Sequence, residues 1–285
     1  MKRVVSLLVL LTVLVLPACA WENFLEVIVG QTARGATLSP DEKTIYVGAI
    51  LDRKMVAFDA RTGDVIADVL LTNYNSAAWA KGGWVDERGD VFVPATGALE
   101  IYHFDSELFH IDTYYIDGFG IENCEGVVTD SHGNLYAFDR KGSGGVYKID
   151  KNGNLDTKWG SRGWADVGFV RLGFLKDGYI YAVDNSSSTL FKVDVETGKV
   201  TRLATLASGG FAVAVDDSGK IYVAHYNDPY VAVSIYEDGK VSEISRSEFG
   251  IVSNIGGIAV TRDGSKLFLI EEQTDIGGLL LGFKK

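Results

Sequence analysis

The chain has 285 residues, 47% of them hydrophobic, with 33 glycines and only 4 prolines, a composition that suits many tight turns and excludes a collagen-like or disordered polypeptide. Its formal net charge of −11, with no run of Lys or Arg to offset it, argues against nucleic acid or an anionic membrane surface as a partner. Two cysteines are too few for a disulfide framework.

The first twenty residues read as a segment apart. Met1-Lys2-Arg3 is basic, Val4 to Leu16 is apolar apart from Ser6 and Thr12, and Ala18-Cys19-Ala20 offers small residues for cleavage before Trp21. This is the pattern of a secretory signal peptide, and the apolar run is shorter than the roughly 20 residues a membrane span needs. The expected domains are therefore a signal peptide over 1–20 and one folded domain over 21–285, with no transmembrane span after cleavage. Leu16-Pro17-Ala18-Cys19 also resembles a bacterial lipobox, so anchoring through a lipidated Cys19 is the alternative to a freely secreted or periplasmic product. Either cut leaves Cys124 without a partner thiol, which reads as a buried structural cysteine.

From Phe24 onward a pattern recurs six times: a polar turn, an aliphatic residue, then an aromatic. The pairs are Ile45-Tyr46, Val91-Phe92, Leu135-Tyr136, Ile180-Tyr181, Ile221-Tyr222 and Leu267-Phe268, with the aromatics 41–46 residues apart. A strand-built period of about 40–50 residues is the signature of propeller blades. Blade three shows the divisions: Gly126 to Thr129, Leu135 to Phe138, Gly145 to Ile149, and a fourth strand near Leu155 to Trp159. Asp-Gly and Asn-Gly turns between them supply the positive φ that tight hairpins require. The last repeat ends on its third strand, at Leu279 to Phe283, while Phe24 to Val29 stands unused at the other end. Pairing the two closes the ring and removes two exposed edges. The expected fold is all-β: a monomeric, six-bladed propeller of four-stranded antiparallel blades, closed by the N-terminal strand.

Aligned on the aromatic anchors, the mouths of the innermost strands carry Arg34, Gly82, Glu125, Arg171, Phe211 and Gly256. A Glu and two Arg in a narrow funnel must find partners, because desolvated charge is costly. Either the two Arg act as bidentate donors to an anion or carboxylate, or Glu125 pairs with an Arg and plugs the channel. Asn185 and His225 sit on loops of the same face, which is expected to carry function, while the short turns opposite are expected to be inert. The Trp79/Trp84 and Trp159/Trp164 pairs suit either a sugar-binding rim or packing between blades.

The run Leu38-Ser39-Pro40-Asp41-Glu42-Lys43-Thr44-Ile45-Tyr46-Val47 resembles YVTN-type and gluconolactonase-like repeats, and Glu125 to Asp130 followed by Gly133-Asn134-Leu135-Tyr136 resembles NHL-type and regucalcin-like repeats. Regucalcin-like lactonases hold a divalent cation on the axis through a Glu, two Asn and an Asp. Glu125-Gly126 resembles their Glu-Gly motif, Asn254 is similar to an Asn ligand, and Asp184 stands where the Asp would. The resemblance thus implies a Ca²⁺ or Zn²⁺ site at Glu125, Asp184 and Asn254. The departures are that the Glu lies in blade three, the second Asn has no counterpart, and Arg34 and Arg171 would crowd a cation. Two functions remain: an exported binding module for a small anion, glycan or protein, with Arg34, Glu125, Arg171, Asn185 and His225 at the ligand, and a metal-dependent lactonase or esterase.

Overall fold

A computed structural model describes residues 21–285; the signal-peptide expectation and Cys19 lie outside the described residues. Six antiparallel sheets surround one axis. Blade 1 runs outward through Ala33–Leu38, Thr44–Ala49, Lys54–Asp59 and Val65–Leu70. Blade 5 repeats this with Gly210–Val215, Ile221–His225, Val231–Glu237 and Lys240–Ser245. Innermost strands such as Gly210–Val215 are buried throughout, whereas outer strands such as Lys240–Ser245 are mostly exposed. The continuous apolar runs near the axis and the alternating ones at the rim follow from that gradient.

The ring closes as the unused strand suggests. Glu22–Gly30 pairs antiparallel with Gly277–Lys284 and becomes the outer strand of the blade built from Ile255–Val260 and Lys266–Thr274. Leu25 is 6% exposed and packs with Phe58, Phe268 and Leu280, so the N-terminal strand contributes apolar contacts across the seam as well as hydrogen bonds.

Five of the six anchor aromatics are buried, Tyr181 being the half-buried exception. Their hydroxyls explain why the repeat favours Tyr over Phe. Tyr46 donates to Ser106 O of the next blade at 2.8 Å, and Tyr136 donates to Asp130 at 2.9 Å and also reaches Val195 O of the next blade. Tyr222 donates to Asp216 at 3.0 Å. A buried phenol needs such a partner, and here the partner is a turn that the same repeat supplies.

Two blades depart from the four-strand expectation. Blade three keeps Cys124–Thr129, Leu135–Asp139 and Gly145–Ile149, but 155–165 makes only isolated bridges, Ile149 to Leu155 and Val146 to Ala165. Trp159 draws this segment inward: it is 3% exposed, its indole N–H donates to Val195 O at 2.8 Å, and its ring packs on Tyr136. In blade two the innermost strand is broken into Trp79–Ala80 and Trp84–Val85 around Lys81-Gly82-Gly83.

The seam carries a direct test. Leu25→Ala is expected to lower unfolding free energy by about 2–4 kcal/mol, the range for truncating a buried Leu, read by urea denaturation. Removing residues 21–30 bares the edge of Gly277–Lys284, and light scattering should then report association, because an open strand edge templates pairing.

Candidate functional site

The axial mouth is shaped by β-bulges. The innermost strands of blades one, three, five and six each break register, at Arg34/Thr37, Cys124/Gly126, Gly210/Ala212 and Ile255/Gly257. A bulge sets two residues against one and re-aims a side chain. In three of these blades the residue inside the break is a mouth residue: Glu125, Phe211 or Gly256. Just below, the strands press together. A Cβ on Gly35 would lie 2.5 Å from Gly82 Cα, and one on Gly126 would lie 2.4 Å from Arg171 O, so any side chain at either position would force the blades apart.

Above this constriction the structure brings Arg34, Glu125 and Arg171 together. Glu125 is 1% exposed and takes three cations: Lys81 Nζ at 2.8 Å, Arg140 Nη1 at 2.9 Å and Arg171 Nη1 at 2.8 Å. Burial pushes the Glu125 pKa up, but Arg171, Lys81 and Arg140 outweigh it and hold the carboxyl at about 2. Arg34 pairs with Glu272 and donates to the Tyr226 hydroxyl, which in turn donates to Glu272. Both guanidiniums lie over the Phe211 ring, at 5.2 Å for Arg34 and 4.7 Å for Arg171, and Tyr226 stacks on Phe211 from 4.9 Å. Four cations thus face two carboxylates, an excess of two positive charges in an acidic chain. The Arg171 Nε–H is buried and finds no acceptor among the described residues.

The plug anticipated at Glu125 is therefore present, but it is overfilled with cations. Lys81 and Tyr226 escape the sequence reading, although Lys81 precedes the aligned mouth position Gly82 and Tyr226 follows the loop candidate His225. Arg140 begins the loop after the second strand of blade three and Glu272 lies near the end of the strand Lys266–Thr274, where many polar residues look alike.

The other expected ligand residues serve the scaffold. His225 is fully buried, with Nδ1 2.8 Å from Ser208 Oγ and Nε2 2.7 Å from Ser234 Oγ, so both nitrogens are engaged within the scaffold. Burial lowers its pKa to about 4, which keeps it neutral. Asn185 donates to Gly210 O at 3.1 Å, tying blade four to blade five. Asp184 accepts from the amides of Phe169, Ser186 and Ser187, a loop-organising role. Asn254 accepts from the Glu272 amide through its backbone carbonyl. These residues do not fit a divalent cation: Glu125 is enclosed by three positive groups, the oxygens of Asp184 are committed to amides, and no group of three or more His, Cys, Asp or Glu converges among the described residues. Cys124 is buried beside Gly126, and desolvation pushes its thiol pKa up, away from reactivity.

The face of short turns is not featureless. A cavity of about 730 Å³ runs along the axis from those turns up to Gly35, Gly126 and Leu172, and stops below the charged cluster. Trp84 lines it, its ring meeting Phe174 edge-on at 5.2 Å, while Trp164 stacks on Tyr147 and Trp79 lies under Arg53.

No protein-family model and no curated protein sequence matches the chain. Solved structures do. A streptogramin B lyase is similar with a TM-score of 0.68 and 14% identity over 94% of this chain and 100% of the other. A gluconolactonase from Xanthomonas campestris gives 0.66 and 14% over 89% and 86%, and the nidogen/laminin complex gives 0.65 and 15% over 80% and 84%. The six sheets define the class, a six-bladed β-propeller; at such identities the likenesses show the fold and not the function. Among the described residues no helix is long and apolar enough to cross a membrane.

Two outcomes follow. Glu125→Gln removes the carboxylate from three buried cations and is expected to cost about 3–5 kcal/mol in urea denaturation. His225 binds its proton less readily folded than unfolded, so its contribution is complete above pH 6.5 and is lost as pH falls from 6.5 to 4, on the order of 3 kcal/mol. In His225→Gln the stability–pH curve across that window should flatten.

Proposed function

We propose that the chain is an extracytoplasmic binding module that takes a small anion, a carboxylate or phosphate, at the mouth of its axial funnel. The observation that carries this reading is the excess of two positive charges around Glu125 and Glu272, with the Arg171 Nε–H lacking an acceptor. A guanidinium offers a planar fork that matches carboxylate and phosphate, and Arg34 and Arg171 both lie close to the Phe211 ring, 5.2 and 4.7 Å from its centroid. Arg140 is the most exposed of the four cations, with 36% of its side chain accessible, and it is placed to meet the anion first. The metal-dependent lactonase reading draws support only from the fold, and the cations around Glu125 weigh against it.

The test is a thermal-shift titration at constant ionic strength with phosphate, acetate and citrate. A ligand at about ten times Kd adds roughly 1.4 kcal/mol, a rise of about 3–5 °C for a domain of this size. Arg34→Ala and Arg171→Lys, the second keeping the charge but losing the fork, should abolish or halve the response. Equal responses in the variants would contradict the proposal, and a Tm lowered by EDTA and restored by Ca²⁺ or Zn²⁺ would favour the lactonase.

A further inference from the structure

The axial cavity on the short-turn face differs in chemistry from the funnel. Its wall carries two half-buried aromatic rings, Trp84 and Phe174, with Phe92 and Phe138 buried behind them. The Trp84 indole N–H is engaged by Thr129 Oγ1 at 3.1 Å, which fixes the ring at the cavity wall. At the rim seven carboxylates stand against three cations. Two of those cations are neutralised locally, Arg88 by Asp86 and Asp90 and Lys176 by Asp217 at 2.5 Å. Glu87, Asp177 and Glu196 lie at the rim and take part in no ion pair among the described residues. The upper end is sealed: Leu172 is 9% exposed and reaches across to Gly82 and Gly126, separating the cavity from the cations above.

We propose that this cavity is a second binding site, for an organic cation: an ammonium or quaternary ammonium group carried on an apolar or aromatic body of up to roughly drug-fragment size. Three properties of the cavity select that class. Its volume falls in the range of about 300–1,000 Å³ usual for small-molecule pockets. The aromatic faces attract a cation through the ring quadrupole, worth about 0.5–2 kcal/mol, without charging the cation the desolvation it would suffer against aliphatic walls. The acidic rim raises the local concentration of cations and repels anions. The two ends of the axis are thereby complementary to opposite charges, and the leucine and glycine layer keeps the ligands apart.

The experiment uses benzyltrimethylammonium as probe, with benzyl alcohol and phenylacetate as neutral and anionic comparators. Binding is read by isothermal titration calorimetry and by quenching of tryptophan fluorescence, with Trp84→Phe assigning the quench. The account expects one benzyltrimethylammonium per chain, at least about tenfold tighter than either comparator, with the quench lost in Trp84→Phe. Ala36→Phe, which fills the cavity from the half-buried wall of blade one, should abolish binding while the thermal response to phosphate at the funnel persists and reports an intact fold. Glu87→Gln combined with Asp177→Asn should weaken binding about two- to fivefold, an effect that fades above roughly 0.5 M salt. No binding at 10 mM probe, equal affinity for the comparators, or binding unaltered by Ala36→Phe in a folded protein would overturn the proposal.

Discussion

Closure of the ring is the constraint on which the rest of the structure depends. A sheet of this kind has two free edges until the first and last segments meet, and here Glu22–Gly30 supplies the outer strand of the last blade. The consequence reaches the axis. Arg34 stands on the first strand of blade one, Glu272 on the last blade and Tyr226 after the second strand of blade five, so the Arg34–Glu272–Tyr226 contact spans the seam. Without closure, Arg34 and Glu272 would lose each other as partners. The pairing of the terminal strands therefore also assembles the funnel.

The axis is polarised. At one end Glu125 holds three cations in a nearly dry setting, where opposite charges interact strongly but each also bears a desolvation cost. That arrangement is economical only if the carboxylate is kept ionised, and the three cations secure this despite burial. At the other end carboxylates, with Glu87, Asp177 and Glu196 outside any ion pair among the described residues, rim a cavity lined by Trp84 and Phe174. Between them the innermost strands approach so closely at Gly35 and Gly126 that no side chain fits. The bulges that make room for the mouth residues and the glycines that permit close approach are adjacent in sequence, so one local device both aims the charges and seals the floor beneath them.

Much of this was legible in the sequence. The six aromatic anchors, the turn spacing and the orphan strand at Phe24 together dictate blade number and closure, because each is a local pattern repeated under the same packing demand. The mouth positions were legible for the same reason, and Arg34, Glu125 and Arg171 do converge. Lys81, Arg140 and Tyr226 were not picked out as members of the cluster, since their arrival at the axis depends on loop paths that no repeat encodes. His225 and Asn185 lie in the expected region but turn into the scaffold, because a side chain at a strand end can face either the axis or the neighbouring blade. The fourth strand of blade three was lost to Trp159, whose burial between blades outweighs regular pairing. The short turns were expected to be inert because backbone geometry alone explains their residues; the cavity they frame arises from the ring as a whole.

The measurement that tests the central claim most directly is a crystal of residues 21–285 soaked in selenate, an anion visible by anomalous scattering. The account predicts a peak within hydrogen-bonding distance of the Arg34 and Arg171 guanidiniums, at the funnel and not in the cavity beyond Leu172. Anomalous peaks confined to the outer surface, with the four cations undisturbed around Glu125 and Glu272, would contradict it.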